Sequence, residues 1–567
     1  MIVGIDLGTT NSAVAVWRDG QAQLIPNSLG HLLTPSAVSI DEKGGLLVGL
    51  TARERQPTHP ENTATAFKRL MGTKRALKLG KQSYAPEELS ALVLASLKRD
   101  AEAFLGAAVT SVVITVPAYF NDKQRRATRR AGELAGLKVE RLINEPTAAA
   151  LAFGIHEHGL NEPFLVFDLG GGTFDISLVE MFDGVIEVRA SAGDNRLGGE
   201  DFNEALVDFA RKRLGAAFPS VDRSGRLAEV MRDAAERARR ALSEIDEASI
   251  RFVWDGEEHT VAIDAETFAQ LVEPLIVRLR EPVLRSLRDS STKVADLSEI
   301  VLVGGATRMP VVRKAVTRMF GRFPNTKVHP DHAVALGAAI QAGLKERNLD
   351  LQEVRLTDVC PFTLGVETTE RESAGSFRKG IFSPIIERNT VIPASRTRSY
   401  YSLEDNQKAI VMRIFQGEAR KVADNILLGE VRVDIPRRPA GGAGVDCRFT
   451  YDTSGLLEVD VTVRETEVAA QLVIFDEEDV ALVNSLDARR AALAALKIHP
   501  RDQEANAAAL ARAERVYEGR VGNVRSYVGD LISNFENVLA AQEPRAIEAA
   551  CQQLNALLDQ IEGESFL

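Results

Sequence analysis

Cysteine is scarce in this 567-residue chain: Cys360, Cys447 and Cys551 stand far apart, with no C-x-x-C pair. That excludes a disulfide framework and a zinc signature, and all three read as reduced packing residues. No run approaches the roughly 18 apolar residues of a membrane span, and the N-terminal "MIVGIDLG" carries no basic segment ahead of an apolar one. The expected location is therefore cytoplasmic. Positive charge is also in deficit. A formal charge of −11 argues against nonspecific binding to nucleic acid or an anionic membrane and leaves neutral or basic partners.

With 45% apolar and 26% charged residues the composition is that of a globular protein. Because single cores stop growing near roughly 250–300 residues, the length implies two to four domains. Residues 1–352 alternate apolar strands with helical stretches, as in an α/β architecture. After a connector at 353–360, residues 361–468 turn to short alternating runs such as "AIVMRIFQG" and "LLEVDVTVRE", which predict a β-sandwich. Residues 469–567 carry helical spacing in "EDVALVNSLDARRAALAAL" and in "IEAACQQLNALLDQI", where Ile547, Cys551, Leu554, Leu558 and Ile561 share a stripe. Three textures predict three modules.

The first module repeats a device. "GIDLGTTNS" (Gly4 to Ser12) and "VFDLGGGTFD" (Val166 to Asp175) each follow a strand and lead into another, so each predicts a hairpin, which excludes a P-loop. Glycines at Gly8 and at Gly170, Gly171 and Gly172 uncover backbone N–H groups and can take positive φ, making a nest for phosphate oxygens. Thr9, Thr10 and Thr173 add hydroxyls. Asp6, Asp168 and Asp175 would repel a polyphosphate unless a cation intervened, so the implied ligand is a nucleotide with Mg2+. One such hairpin alone is an ordinary tight turn; two in a duplicated module, with a strand, basic helix and Ala-rich helix after each, imply two similar lobes around a ligand cleft. In the second half "VGGATRMP" exposes Gly304 and Gly305, and Arg308 can stack on a purine. Glu236, Arg239, Arg240 and Ser243 share one helical face, which by itself reads as a solvated charged face.

At these residues the chain resembles the 70-kilodalton heat-shock chaperones of the DnaK type, within the actin and sugar-kinase superfamily. "GIDLGTTNS", "VPAYFND", "INEPTAAALAFG", "FDLGGGTFDIS", "LGGEDFN" and "VGGATRMP" occur in that order, and "EDNQ" with "FQGEARKVADNILLG" extends the likeness into the second module. The short chain resembles the HscC-like branch. The resemblance implies a duplicated actin-like (ribonuclease H-like) ATPase domain, a β-sandwich that grips extended apolar polypeptides and a helical lid. By it, Lys68 positions the attacking water, Asp6 and Asp168 hold hydrated Mg2+ with Glu145 near that shell, and Asp175 organises water and monovalent cations such as K+. Thr9, Thr10 and Thr173 contact phosphate, Gly198 and Gly199 line it, and Glu236, Arg239, Arg240, Ser243, Gly304, Gly305, Arg308 and Asp331 surround adenosine. No arginine finger is evident, and an unassisted GTPase site turns over at about 10⁻⁴ per second. Slow hydrolysis of ATP to ADP, assisted by a J-domain partner, is the expectation.

For the second module the resemblance assigns a peptide pocket to Val366, Tyr400, Ile410 and Met412, under an arch of Thr369 and Leu403. Without it, Val366, Ile410 and Met412 read as sandwich core. One leucine in such a pocket yields only about 1.5–3 kcal/mol, weaker than millimolar binding, so backbone bonds and lid closure must add to it. Pro117 and Arg125 match a switch proline and its partner, while Leu356 and Asp358 fall in the linker, where Arg355 and Thr357 interrupt the family's leucine-rich pattern and predict weakened coupling. "TTERESAGSFRKGIF" is longer and more polar than the family's usual first sandwich loop. The chain is short near 73–85 and 250–262, which leaves the need for an exchange factor open. Rival readings are a small-molecule kinase on the same nucleotide fold, an actin-type filament former, and a chaperone-like ATPase whose peptide binding is lost.

Overall fold

The computed structural model describes residues 1–154, 162–182, 185–215, 225–325, 327–346, 355–371, 377–452, 456–466, 468–474, 504–518, 520, 522–542 and 544–563. The helical pattern expected at "EDVALVNSLDARRAALAAL" lies outside them. The first half is built on a mixed sheet ordered Lys138–Asn144, Ser111–Val116, Ile2–Asp6, Asn11–Arg18, Gln21–Ile25. Its central strands pair in parallel, Gly4 beside Val113, and the first hairpin pairs antiparallel, Asp6 opposite Ala13. "VVITV" is buried throughout, the unbroken apolar run that a parallel strand covered on both faces requires.

The second half repeats the plan. Ile300–Val303, Phe164–Leu169, Phe174–Phe182 and Val185–Asp194 lie side by side, with Asp168 opposite Asp175 across the second hairpin and parallel to Val303 on its other side. Between the sheets cross the Ala-rich helices Glu145–Gly154 and Ala333–Lys345. Gly337 is required there: a Cβ would sit 1.7 Å from the Ala148 carbonyl oxygen. Small residues thus let the two lobes approach backbone to backbone, and Gly4 meets the backbone of Ala338 and Ala339 in the same way. The two shortened segments close as tight hairpins, Leu77–Leu79 with Gln82–Tyr84 and Glu247–Trp254 with Glu257–Asp264.

The alternating runs form two four-stranded sheets, one of Phe377–Ile386, Leu364–Arg371, Ala409–Gln416 and Ile426–Asp434, the other of Ala394–Tyr401, Gly444–Tyr451, Leu457–Val463 and Ala469–Ile474. In "AIVMRIFQ" the side chains of Ile410, Met412 and Ile414 point into the shared core while Val411 is exposed, the period of two that a half-buried strand dictates. Helices Glu504–Glu518, Gly522–Ala541 and Pro544–Gly563 bury Ala513, Val528, Phe535, Leu554 and Leu558 against one another, with Cys551 and Ile561 partly covered.

The linker departs from a bare connector. Arg355–Val359 is a strand that joins the second sheet, parallel to Val185–Asp194 with Leu356 beside Ile186, and antiparallel to Val391–Ile392 of the sandwich. Arg355 and Thr357 do not prevent this, because a strand edge is recognised through backbone N–H and C=O groups that every residue but proline supplies. The side chain of Leu356 lies outside what is described.

Candidate active site

A cleft of about 450 Å³ opens between the two halves. Its wall carries Asp6, Gly8, Thr9, Thr10, Lys68, Glu145, Asp168, Gly170, Gly171, Thr173 and Gly199 at one end, and Glu236, Arg239, Arg240, Ser243, Gly304, Gly305, Arg308 and Asp331 at the other. Sequence reasoning also named Gly172, Gly198 and Asp175, which sit a layer behind. A Cβ on Gly198 would meet the Gly172 nitrogen at 2.5 Å, and the Asp175 Oδ1 accepts the Tyr119 N–H at 3.2 Å. Leu33, Pro330 and Val334 line the wall too. Nothing in the sequence marks a lone apolar residue, in a loop or at the start of a helix, as part of a site.

The glycines serve a different end from the one expected. Gly8, Gly170, Gly171 and Gly172 do not adopt positive φ; among the site glycines Gly304 does, at 83°. What Gly171 and Gly172 need is room. A Cβ on Gly171 would lie 1.9 Å from Thr10 Oγ1, and one on Gly172 2.6 Å from Thr9 Cγ2. The hairpins of the two halves therefore meet tip to tip; the Gly8 N–H bonds Ser12 Oγ at 3.2 Å and the Gly170 N–H the Thr173 carbonyl at 3.0 Å, while the Gly171 and Gly172 N–H groups have no partner among the described residues. Behind them the Gly199 and Glu200 N–H groups bond the Gly170 and Gly171 carbonyls, both at 2.9 Å. Arg69, a residue no motif singled out, donates to the Gly172 carbonyl at 3.1 Å and to Asp201 at 2.7 Å, fastening the first half to the second.

Acidic groups crowd the cleft floor. Asp6 accepts from Thr115 at 2.9 Å, and Glu145 from Lys68 at 2.6 Å, both members of that pair buried. Asp168 keeps one carboxylate oxygen buried without a hydrogen-bond partner among the described residues. Burial, followed by repulsion from Glu145, pushes Asp6 up to about 7 and Asp175 up to about 8, and burial raises Asp168 well above the carboxylate range. Such a group of carboxyls suits a divalent cation. No set of three His, Cys, Asp or Glu groups that could ligate one ion directly is found among the described residues.

At the far end Glu236 is paired with Arg53 across the cleft and with Arg240 at 2.6 Å, while Arg239 donates to Asn203 at 2.7 Å. Arg308 donates to Asp331 at 2.5 Å.

Two chains of contacts leave the floor. Arg125 binds the carbonyls of Ala118 and Phe120 in the turn after buried Pro117 and donates to Asn144 at 2.6 Å; Asn144, next to Glu145, donates to both oxygens of buried Asp358, at 3.0 and 2.9 Å. Of the four switch residues expected from sequence, Arg125 and Asp358 meet at Asn144; Pro117 opens the turn whose carbonyls Arg125 binds, and the Leu356 side chain lies outside what is described. Tyr119, whose N–H reaches Asp175, places its ring edge-on against Phe362 of the sandwich at 4.7 Å. In the sandwich, Val366, Ile410 and Met412 belong to the core and Tyr400 packs against it, its hydroxyl bonded to Ser383 at 3.0 Å. Thr369 is half-buried and Leu403 exposed.

The Hsp70 protein family model matches residues 2–566. The chain belongs to the Hsp70 family. It is 42% identical over 469 residues to the chaperone protein DnaK of Thermosipho africanus, covering 81% of this chain and 77% of that one. Against the DnaK of Thermotoga neapolitana the identity is 41% over the same shares, and against that of Thermosipho melanesiensis 40% over 84% and 82%. These relatives do not speak to the HscC-like branch. As an Hsp70, the chain is an ATP-dependent molecular chaperone that hydrolyses ATP, and its small-molecule-kinase alternative is not favoured.

Proposed function

We propose that residues 1–352 form a duplicated actin-like ATPase domain whose cleft holds the nucleotide, that 353–360 is its switchable linker, and that 361–468 and 469–567 are a peptide-binding sandwich and a lid. The amides of the two hairpins, with Thr9, Thr10 and Thr173, take the phosphates. Asp6, Asp168 and Asp175 would hold hydrated Mg2+, with Glu145 near that shell, and Asp175 would also serve K+. The metal would neutralise charge on the phosphates. Lys68, fixed by Glu145, orients the attacking water, and Arg308, Arg239, Arg240, Ser243 and Glu236 flank adenosine, with Gly304, Gly305 and Asp331 behind.

The observation that carries the coupling is the linker strand's place beside Val185–Asp194, with Asp358 tied through Asn144 to the neighbour of Glu145. It supports a docked state in which the sandwich is held open to exchange peptide, and undocking after hydrolysis, assisted by a J-domain protein, closes it. Clients are unfolded polypeptides with extended apolar segments, gripped at Val366, Tyr400, Ile410 and Met412 under Thr369 and Leu403. The cytoplasm is the proposed compartment. Anisotropy of a labelled apolar peptide tests the whole: faster release in ATP than in ADP is expected, and equal release in both refutes the coupling.

A further inference from the structure

We propose that His329 is a positioning residue for nucleotide binding: its Nε2 accepts from Arg308 and holds that guanidinium flat at the adenosine end of the cleft. The inference rests on the reading of Arg308 as the purine platform. Arg308 Nη2 reaches His329 Nε2 at 3.0 Å and Asp331 Oδ2 at 2.5 Å, so two acceptors aim one planar donor. A guanidinium only donates, which requires the His329 Nε2 to be unprotonated. Its ring is in turn held by His332, stacked at 3.7 Å between centroids and 19° between planes. His332 precedes the Ala333–Lys345 helix, and its N–H and that of Ala333 bond the His329 carbonyl at 3.0 and 3.1 Å, fixing the backbone that carries both rings. Burial, with His329 and Arg308 nearby and Asp331 opposing, holds His332 below the usual histidine range and so favours its neutral ring in the stack. The charged or titratable groups facing the pair are Arg308 and Asp331. Without His329 the arginine keeps one tether and regains its rotamers, half-exposed as it is.

The test uses the full chain and magnesium ADP, by titration calorimetry, with H329L, H329Q and R308A. Loss of one solvent-exposed hydrogen bond predicts a roughly threefold to tenfold weaker Kd for H329L. H329Q, which keeps an acceptor near the Nε2 position, recovers most of that loss. If R308A weakens binding but H329L does not, or if H329Q binds no better than H329L, the inference fails alone. If R308A binds as tightly as wild type, the platform reading fails and takes the inference with it.

Discussion

Replacing Arg388 by alanine loosens the sandwich from the nucleotide half. Arg388 donates to both oxygens of Asp289, at 2.8 and 2.9 Å, and to Glu418 at 2.6 Å, while Asn389 gives Asp289 a further bond at 3.0 Å. The two side chains of the pair keep 29% and 17% of their exposure. That places the pair between exposed ones, worth about 0.2–1 kcal/mol, and buried ones, whose breaking costs about 3–5 kcal/mol. A cost of about 1.5–2 kcal/mol follows, a roughly tenfold to thirtyfold shift toward the undocked form. The Asn389 contact with the Ser191 N–H, the Gln416 contact with the Asp122 N–H and the linker strand remain, so the modules separate only part of the time. Energy transfer between dyes on the two modules, in ATP, reads the docked fraction for D289A, R388A and the double variant. The double should be little worse than either single, a coupling of about 1 kcal/mol or more, and the difference should shrink near 0.5 M salt. Strict additivity of the two single changes, or a docked fraction that neither moves, refutes the clamp.

Other outcomes follow from the same geometry. Lys68→Met should slow single-turnover ATP hydrolysis by roughly 10²–10³, as loss of one preorganised charge donor does, while ATP still binds; hydrolysis at the wild-type rate would remove Lys68 from the chemistry. Gly171→Ala should weaken nucleotide binding, since its Cβ meets Thr10 Oγ1 at 1.9 Å and forces the hairpins apart, with unchanged calorimetric Kd as the contrary result. Asp6 and Asp175 have folded-state values raised from 3.8 to about 7 and about 8. Protonation therefore favours the nucleotide-free fold, and its stabilisation is lost as pH climbs through those values. The nucleotide-free melting temperature should fall from about pH 6 to 8, magnesium ADP should offset the fall, and binding should release protons in calorimetry with buffers of different ionisation enthalpy; a fall that is the same with and without nucleotide would count against the acid cluster. Met412→Ala should cost about 2–5 kcal/mol of sandwich stability, because Met412 packs in the core, and should weaken peptide binding as well; a stability loss with peptide affinity intact would remove Met412 from the proposed pocket.

The sequence by itself determined the local pieces. Strand runs, hairpins around Gly8 and Gly170, Ala-rich helices and alternating sandwich strands are dictated by periodicity and by what glycine and alanine permit between neighbours. The order of the motifs sufficed to name most of the residues on the cleft wall. Only the tertiary structure decided how those pieces meet. It made Gly171 and Gly172, expected at positive φ, close-packed instead, because the clash they avoid is with a hairpin more than 150 residues away in the chain. It brought Arg69, Asn144, Tyr119 and His329 to the site, although each alone looks like an ordinary surface or turn residue. It also made the interrupted linker a strand, since an edge strand is chosen by backbone hydrogen bonds to a neighbour, and side-chain pattern in one dimension carries no record of which neighbour will be there.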